Sequence, residues 1–400
     1  MGVTLQGPRS CRRWLTPVLA VCLLGSLRAQ PGEAPEAARI EASQAGSTRE
    51  LGALPIAELL DRTKVPAVSL AVIRDNGIHF ARAYGVADIA SKRPVRVDTP
   101  FQAASISKPV TAMATVRLAQ DGRFSLDADV NTLLTSWKVP VSEHTRRQAV
   151  TPRGLSSHTA GADDGFGFPG YDPAAPRPSL LQILKGEAPS NVGPVLFTRP
   201  PLQFFKYSGG SVTLMQLALM DVTGRPFADL MRETVLGPLK MADSTFEQPL
   251  PEPWMARAAH AHGREGQPLS APWHVYPEQA AAGLWTTPTD LAKFAIEVQR
   301  ALAGPRGTLL TQASAREMTT PVGVGPYGVG FSIEKRGEGW YFSHGGSNWG
   351  FRCTLVAHLR KGYGVAIMTN GDNGAQLAAE MVERVASAYR WDMLDKPLPR

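Results

Sequence analysis

The sequence predicts an α+β fold: an antiparallel sheet built from N- and C-terminal segments, flanked by helices, with a mostly helical subdomain inserted between them. Three observations carry this. AVSLAVIRDNGIHFARAYGVAD (67–88) reads as two strands joined at a turn formed by Asn76-Gly77. Near the other end, 326–335, 339–344, 351–358 and 364–369 read as four further strands. Between them, apolar residues recur at helical spacing in 211–221, 227–235 and 289–301. Four hundred residues at 43% hydrophobic content can bury a large core, as one large domain or two intimately packed ones.

At the N-terminus, Arg9, Arg12 and Arg13 precede an apolar run over 15–24, and Ala29 fits the last residue before cleavage. Residues 1–29 therefore read as a secretory signal, which implies a secreted, periplasmic protein. The run is too short for a membrane anchor, and no later segment is long and apolar enough. Cys22 lies between Val21 and Leu23, which fits lipid attachment poorly. The signal carries four arginines and no acids, so without it the net charge falls from +7 to +3. No Lys/Arg cluster remains, and no nucleic-acid partner is expected. Cys11 and Cys22 leave with the signal. Cys353 then stands alone, with no internal disulfide, as a small buried apolar side chain.

Residues 30–50, rich in Ala, Glu, Ser and Gly, read as a flexible leader, and 51–395 as the folded domain, with its helical insertion at about 110–285. A helix is expected over 51–62, ahead of the hairpin. FQAASISKPVTAM (101–113) then places Ser105 three residues before Lys108. Pro109 suits a first helical turn, Val110, Ala114 and Leu118 repeat at four-residue spacing, and Asp121-Gly122 end the pattern. Ser105 and Lys108 thus share one helix face, a nucleophile with a base beside it. Ser332 and Lys335 repeat the spacing, but on a strand they point to opposite faces.

GADDGFGFPGYDPAAPRP (161–178) has no period; its Phe166, Phe168 and Tyr171 suit an adaptable rim of a substrate cleft rather than core. FFKYSGGSVTLMQ (204–216) sets Tyr207 in a glycine-rich turn before a helix capped by Ser211, where a phenol can shuttle a proton. Thr223-Gly224-Arg225-Pro226 separate that helix from the next. YFSHGGSNWGF (341–351) puts His344-Gly345-Gly346 at a strand end, where glycines allow a substrate close to the backbone and the Ser347 amide can serve an oxyanion. Trp349 is a candidate for the pocket lining. A helix over 375–389 closes the chain. His260, His262 and His274 have no acid or cysteine at a metal-ligand spacing, so neither a metal nor any other cofactor is expected.

The three motifs in order, Ser105-x-x-Lys108, Tyr207-Ser208-Gly209 and His344-Gly345-Gly346, with LSSHTAG (155–161), DVTGRPF (221–227) and AAGLWTTPTDLAKF (281–294), resemble the class C β-lactamase, penicillin-binding protein and family VIII esterase superfamily. The resemblance covers about 53–390 and implies a β-lactamase/DD-peptidase-like fold and an acyl-enzyme serine hydrolase. By it Ser105 is acylated, Lys108 helps activate it, and Tyr207 relays the proton. The backbone N–H groups of Ser105 and Ser347 form the oxyanion hole, and His158 organises its loop. Two departures stand out. Family β-lactamases usually carry Asn where Gly209 stands, holding the substrate's acylamino group, and commonly Lys where His344 stands, facing its carboxylate. Both departures weaken the case for efficient β-lactam hydrolysis and are compatible with esterases and with D-aminopeptidase- or carboxypeptidase-like relatives. The reading is a hydrolase of an ester, amide or β-lactam bond, with a D-stereospecific peptidase or a β-lactamase proper as alternatives. A non-catalytic penicillin-, peptidoglycan-binding or scaffold protein is the reading from another class. Arg352 is a candidate replacement cation. The expected partner is a small-molecule or short peptide substrate; the sequence leaves the oligomeric state open.

Overall fold

The computed structural model describes residues 1–2, 35–44, 49–164, 167–304 and 307–395. Residues 3–29 of the signal segment, Phe166 and residues 396–400 lie outside them. From Pro35 onward the chain forms one unit. Strands β1 (Ala67–Arg74), β2 (Gly77–Asp88), β3 (Arg93–Pro94), β4 (Phe101–Gln102), β5 (Trp285–Thr286), β6 (Ser332–Arg336), β7 (Gly339–Asn348), β8 (Phe351–His358) and β9 (Gly364–Thr369) follow in order. Among the described residues, seven of them build one antiparallel sheet in the order β3-β2-β1-β9-β8-β7-β6, and β4 and β5 pair separately. The first strand of the chain therefore lies against the last, Val68 opposite Thr369, and the expected architecture is present.

Both faces of this sheet are covered, so its central strands are apolar on both sides rather than alternating with polar residues. Ala67, Ala71 and Ile73 join Leu355, Ala366 and Met368 in one core, which includes Val110 and Ala114 of the Ser107–Gln120 helix and Leu291 and Ala295 of the Pro288–Leu302 helix. Val68, Leu70 and Val72 face the other way with Val365 and Ile367, onto Leu377 and Met381 of the Gly374–Tyr389 helix.

Local chemistry adjusts several expectations. The β1–β2 turn is Asp75-Asn76, both with positive φ, and Gly77 already belongs to β2. The first helix breaks at Pro55 into a short turn, Leu51–Ala53, and the helix Ile56–Thr63. Within the stretch read as a flexible leader, Pro35–Glu41 is helical with Ala37 and Ile40 buried. Its carbonyl end is held from far along the chain: the buried Arg384 guanidinium donates to the carbonyls of Ile40, Ala42, Leu51 and Leu54. A polar-rich composition gave no sign of that long-range anchor. Among the described residues, no helix is long and apolar enough to cross a membrane.

Candidate active site

Ser105 lies in a tight turn, Ala104–Ile106, that runs straight into the Ser107–Gln120 helix. The turn is pinned from both sides: Ala103 N donates to Leu284 O at 2.8 Å, and Ser107 Oγ donates to Ala104 O at 2.5 Å. One turn on, Lys108 Nζ stands 2.9 Å from Ser105 Oγ and 2.9 Å from Ala281 O, so the two side chains meet as their spacing requires. Lys108 is 2% exposed, and burial pulls its pKa from 10.5 to about 7, with Asp164 opposing weakly. The repeat of that spacing, Ser332 and Lys335, lies on β6, where Lys335 pairs with Glu338 of the following turn.

Tyr207 closes the site from the helical subdomain. Its phenol hydrogen-bonds Ser105, and burial pushes its pKa well above the usual range. The Lys108 ammonium lies 5.0 Å from the ring centroid. The following helix, Gly209–Thr223, is capped not by Ser211 but by Ser208, whose Oγ accepts from Ser211 N at 2.8 Å. Ser208 Oγ donates in turn to Asp164, which also accepts from Gly210 N at 2.8 Å. Behind Tyr207 stands His158, its ring 4.3 Å away and its Nδ1 accepting from Ser208 N at 3.2 Å. Burial and nearby Lys108 keep that imidazole neutral. Its contacts tie the 155–161 loop to Tyr207 and Ser208.

The third motif lies inside β7 rather than at its end. β6 pairs with β7 only up to Ser343, so 344–348 run beyond it and pack beside the Ala104–Ile106 turn. Gly346 is required there: a Cβ would lie 2.3 Å from both Ala103 O and Cys353 Sγ. At Gly345 the nearest atom, Cys353 O, would be 3.8 Å away, an ordinary van der Waals contact. His344 is 4% exposed, its Nδ1–H donates to Gly345 O at 2.6 Å, and its Nε2 has no partner. Burial first, and Lys108 second, lower its pKa to about 3. The imidazole is therefore neutral across the working pH range. Arg352 does not supply the missing charge, because it donates to Asp372, Asn348 O and Phe351 O at 2.8, 2.5 and 2.8 Å.

Ser105, Tyr207, His344, Gly345, Gly346, Ser347 and Trp349 border one cavity of about 1630 Å³, so most of the sequence candidates come together. Gly209 does not border it; the Phe168 ring covers it instead. Of the 161–178 loop, Phe168 borders the cavity, whereas Tyr171 is 5% exposed and pairs with Val275 as core. Two further residues, one at the cavity and one in the interior, had no motif to announce them. Tyr327 lies 4.9 Å from His158 and stacks on Phe205 at 5.5 Å. Glu278 is fully buried with both carboxylate oxygens unpartnered, and burial raises its pKa to about 7. His260 faces Asp88, His262 bonds Asn370 O, and His274 stacks on Trp349 at 4.0 Å.

A family model described as Beta-lactamase matches residues 55–390. Esterase EstB of Burkholderia gladioli is 28% identical over 322 residues, covering 72% of this chain and 76% of that protein. Protein flp of Staphylococcus aureus (strain MW2) is 23% identical over 322 residues, 78% of this chain but 61%, less than two thirds, of flp. The crystal structure of SurE with D-Leu superimposes with a TM-score of 0.65 at 25% identity, covering 88% of this chain and 76% of that one. The chain belongs to the Beta-lactamase family and is a serine hydrolase.

Proposed function

We propose that this hydrolase cleaves small uncharged esters and simple amides through a Ser105 acyl-enzyme, in preference to penicillins and cephalosporins. The observation that carries the reading is the buried Lys108 amine, 2.9 Å from Ser105 Oγ with a pKa near neutrality. As neutral Lys108 takes the Ser105 proton, Oγ bonds the substrate carbonyl carbon. The backbone N–H groups of Ser105 and Ser347 receive the resulting oxyanion. When the carbonyl re-forms and the bond to the alkoxide or amine breaks, Tyr207 passes the leaving group a proton, refilled from protonated Lys108. Water then releases the acid by the same steps, freeing Ser105.

A β-lactam needs its carboxylate and acylamino group held. The neutral His344 and the engaged Arg352 offer no free cation, and Gly209 no amide, which supports the ester preference. Similarity to esterase EstB points the same way. A D-stereospecific peptidase is the second reading, favoured by likeness to SurE solved with D-Leu. A secreted, periplasmic location rests on the sequence of residues 1–29.

The test is a panel of p-nitrophenyl acetate and butyrate, D-alanine p-nitroanilide, a D-Ala-D-Ala peptide and nitrocefin, with wild type beside Ser105→Ala. Esters should turn over fastest and Ser105→Ala should abolish the rate. Equal rates in both proteins defeat the catalytic assignment; nitrocefin outpacing every ester makes this a β-lactamase.

A further inference from the structure

We propose that Phe168 sets the acyl-group specificity of this site: its ring fills the space beside Gly209 and gives the cleft an apolar wall that selects apolar acyl chains. This rests on the ester-hydrolase reading above. A Cβ on residue 209 would lie 2.6 Å from Phe168 Cε2 and 3.1 Å from Cζ, inside any carbon–carbon contact. The ring therefore sits directly on the glycine backbone, and the lack of a side chain at 209 is what admits it. The ring also borders the same cavity as Ser105 and Tyr207, so this wall belongs to the cleft that holds the reacting atoms.

The wall is held in place. Pro169 O, immediately after Phe168, accepts from His274 Nδ1 at 2.9 Å. Gly170 O accepts from Asn191 Nδ2 at 2.8 Å, and Tyr171 N donates to Val275 O at 2.9 Å. The Trp349–His274 stack continues the apolar lining of the same cavity. A chain of methylenes lying on such a surface gains by burial, whereas a polar acyl substituent there loses its water without a partner.

The experiment compares kcat/KM for p-nitrophenyl butyrate and acetate in wild type, Phe168→Ala, Phe168→Leu, Gly209→Ala and the double variant Phe168→Ala/Gly209→Ala. Phe168→Ala should lower the butyrate-to-acetate ratio on the order of tenfold, the worth of a methylene or two in a fitted pocket, while acetate turnover persists. Gly209→Ala should do the same by displacing the ring. The double variant should be no worse than Phe168→Ala alone, because the three nearest atoms that the new methyl would meet all belong to that ring. Phe168→Leu should fall between, and reads the wall if the alanine variant unfolds. Affinities for butylboronic and methylboronic acid, followed by tryptophan fluorescence, report the same wall without turnover. A wild type inert to every ester but losing butylboronate selectivity in Phe168→Ala would sink the ester reading and keep the wall. A Phe168→Ala ratio within twofold of wild type, or additive effects of the two single changes, would overturn the proposal.

Discussion

If Lys108 is the base that activates Ser105, acylation must follow the protonation of a lysine and not that of a phenol. Burial has moved the Lys108 pKa from 10.5 to about 7. That difference is on the order of 5 kcal/mol against the charged form. At its ordinary value a lysine would be neutral in only about one molecule in a few thousand at pH 7; here about half are ready. The single-turnover rate of acylation by p-nitrophenyl butyrate should therefore rise with unit slope through about pH 7. At pH 5 it should be roughly 100-fold below its plateau, and by pH 8 close to it. Stopped-flow absorbance at the isosbestic wavelength of p-nitrophenol separates acylation from hydrolysis of the acyl-enzyme. Lys108→Arg, charged at every pH used, should lose about 10²–10⁴-fold without recovery at high pH. Tyr207 gives the contrasting expectation, since its phenol is pushed upward and cannot ionise near neutrality. A flat profile from pH 5 to 9, or an inflection near 10, refutes Lys108 as the base. The stability linkage runs in a definite direction as well. Between about pH 7 and 10.5 the unfolded chain binds a proton that the folded one does not, so this residue's contribution makes stability rise over that window. Lys108→Met should flatten that rise.

Other measurements test other parts of the molecule. Glu278, buried with a pKa near 7 in place of 4.5, keeps a proton when folded that the unfolded chain releases, so its contribution to stability falls from about pH 4.5 to 7. Glu278→Gln should be more stable than wild type at pH 8, by on the order of 3 kcal/mol in urea unfolding, with little difference at pH 4.5; a less stable variant at pH 8 contradicts the assignment. Gly346→Ala should cost about 1–3 kcal/mol through overpacking, whereas Gly345→Ala, whose Cβ would meet Cys353 O only at ordinary contact distance, should stay within about 0.5 kcal/mol; reversed costs would contradict the close approach at Gly346. Because the His344 pKa is held near 3, KM for a carboxylate-bearing substrate should show no His344-dependent gain at pH 6 over pH 8. Tighter binding at pH 6 that disappears in His344→Gln would establish a cationic imidazole.

Much of this was legible because it is local. The Ser105–Lys108 pairing follows from helical spacing, and Pro109 places the start of that helix to within two residues. The β1–β2 hairpin and the terminal strands follow from alternation and turn chemistry. What escaped depends on distant partners. The charge of His344 could not be read from its motif, since it depends on burial beneath tyrosines and on the nearby lysine. Arg352 looked like a free cation until Asp372 was placed beside it. The Pro35–Glu41 helix depends on Arg384, more than 300 positions later. Phe168 and Tyr171 share one loop composition yet separate into cleft wall and core, because Val275 supplies a backbone partner for the latter alone.

The adjacency of β1 and β9 has a consequence for the ribosome. AVSLAVI in β1 leaves the exit tunnel early and can close a hairpin with β2, but its other edge is matched by a strand near the end of the message. At ~5–20 residues per second that edge waits roughly 15–60 s, apolar on both faces and with its backbone hydrogen bonds unmade. An exposed edge of that kind recruits other nascent chains. Until the last strands arrive, that edge of the hairpin stays open to other chains. A message truncated before β9 should yield aggregates rather than a smaller soluble protein.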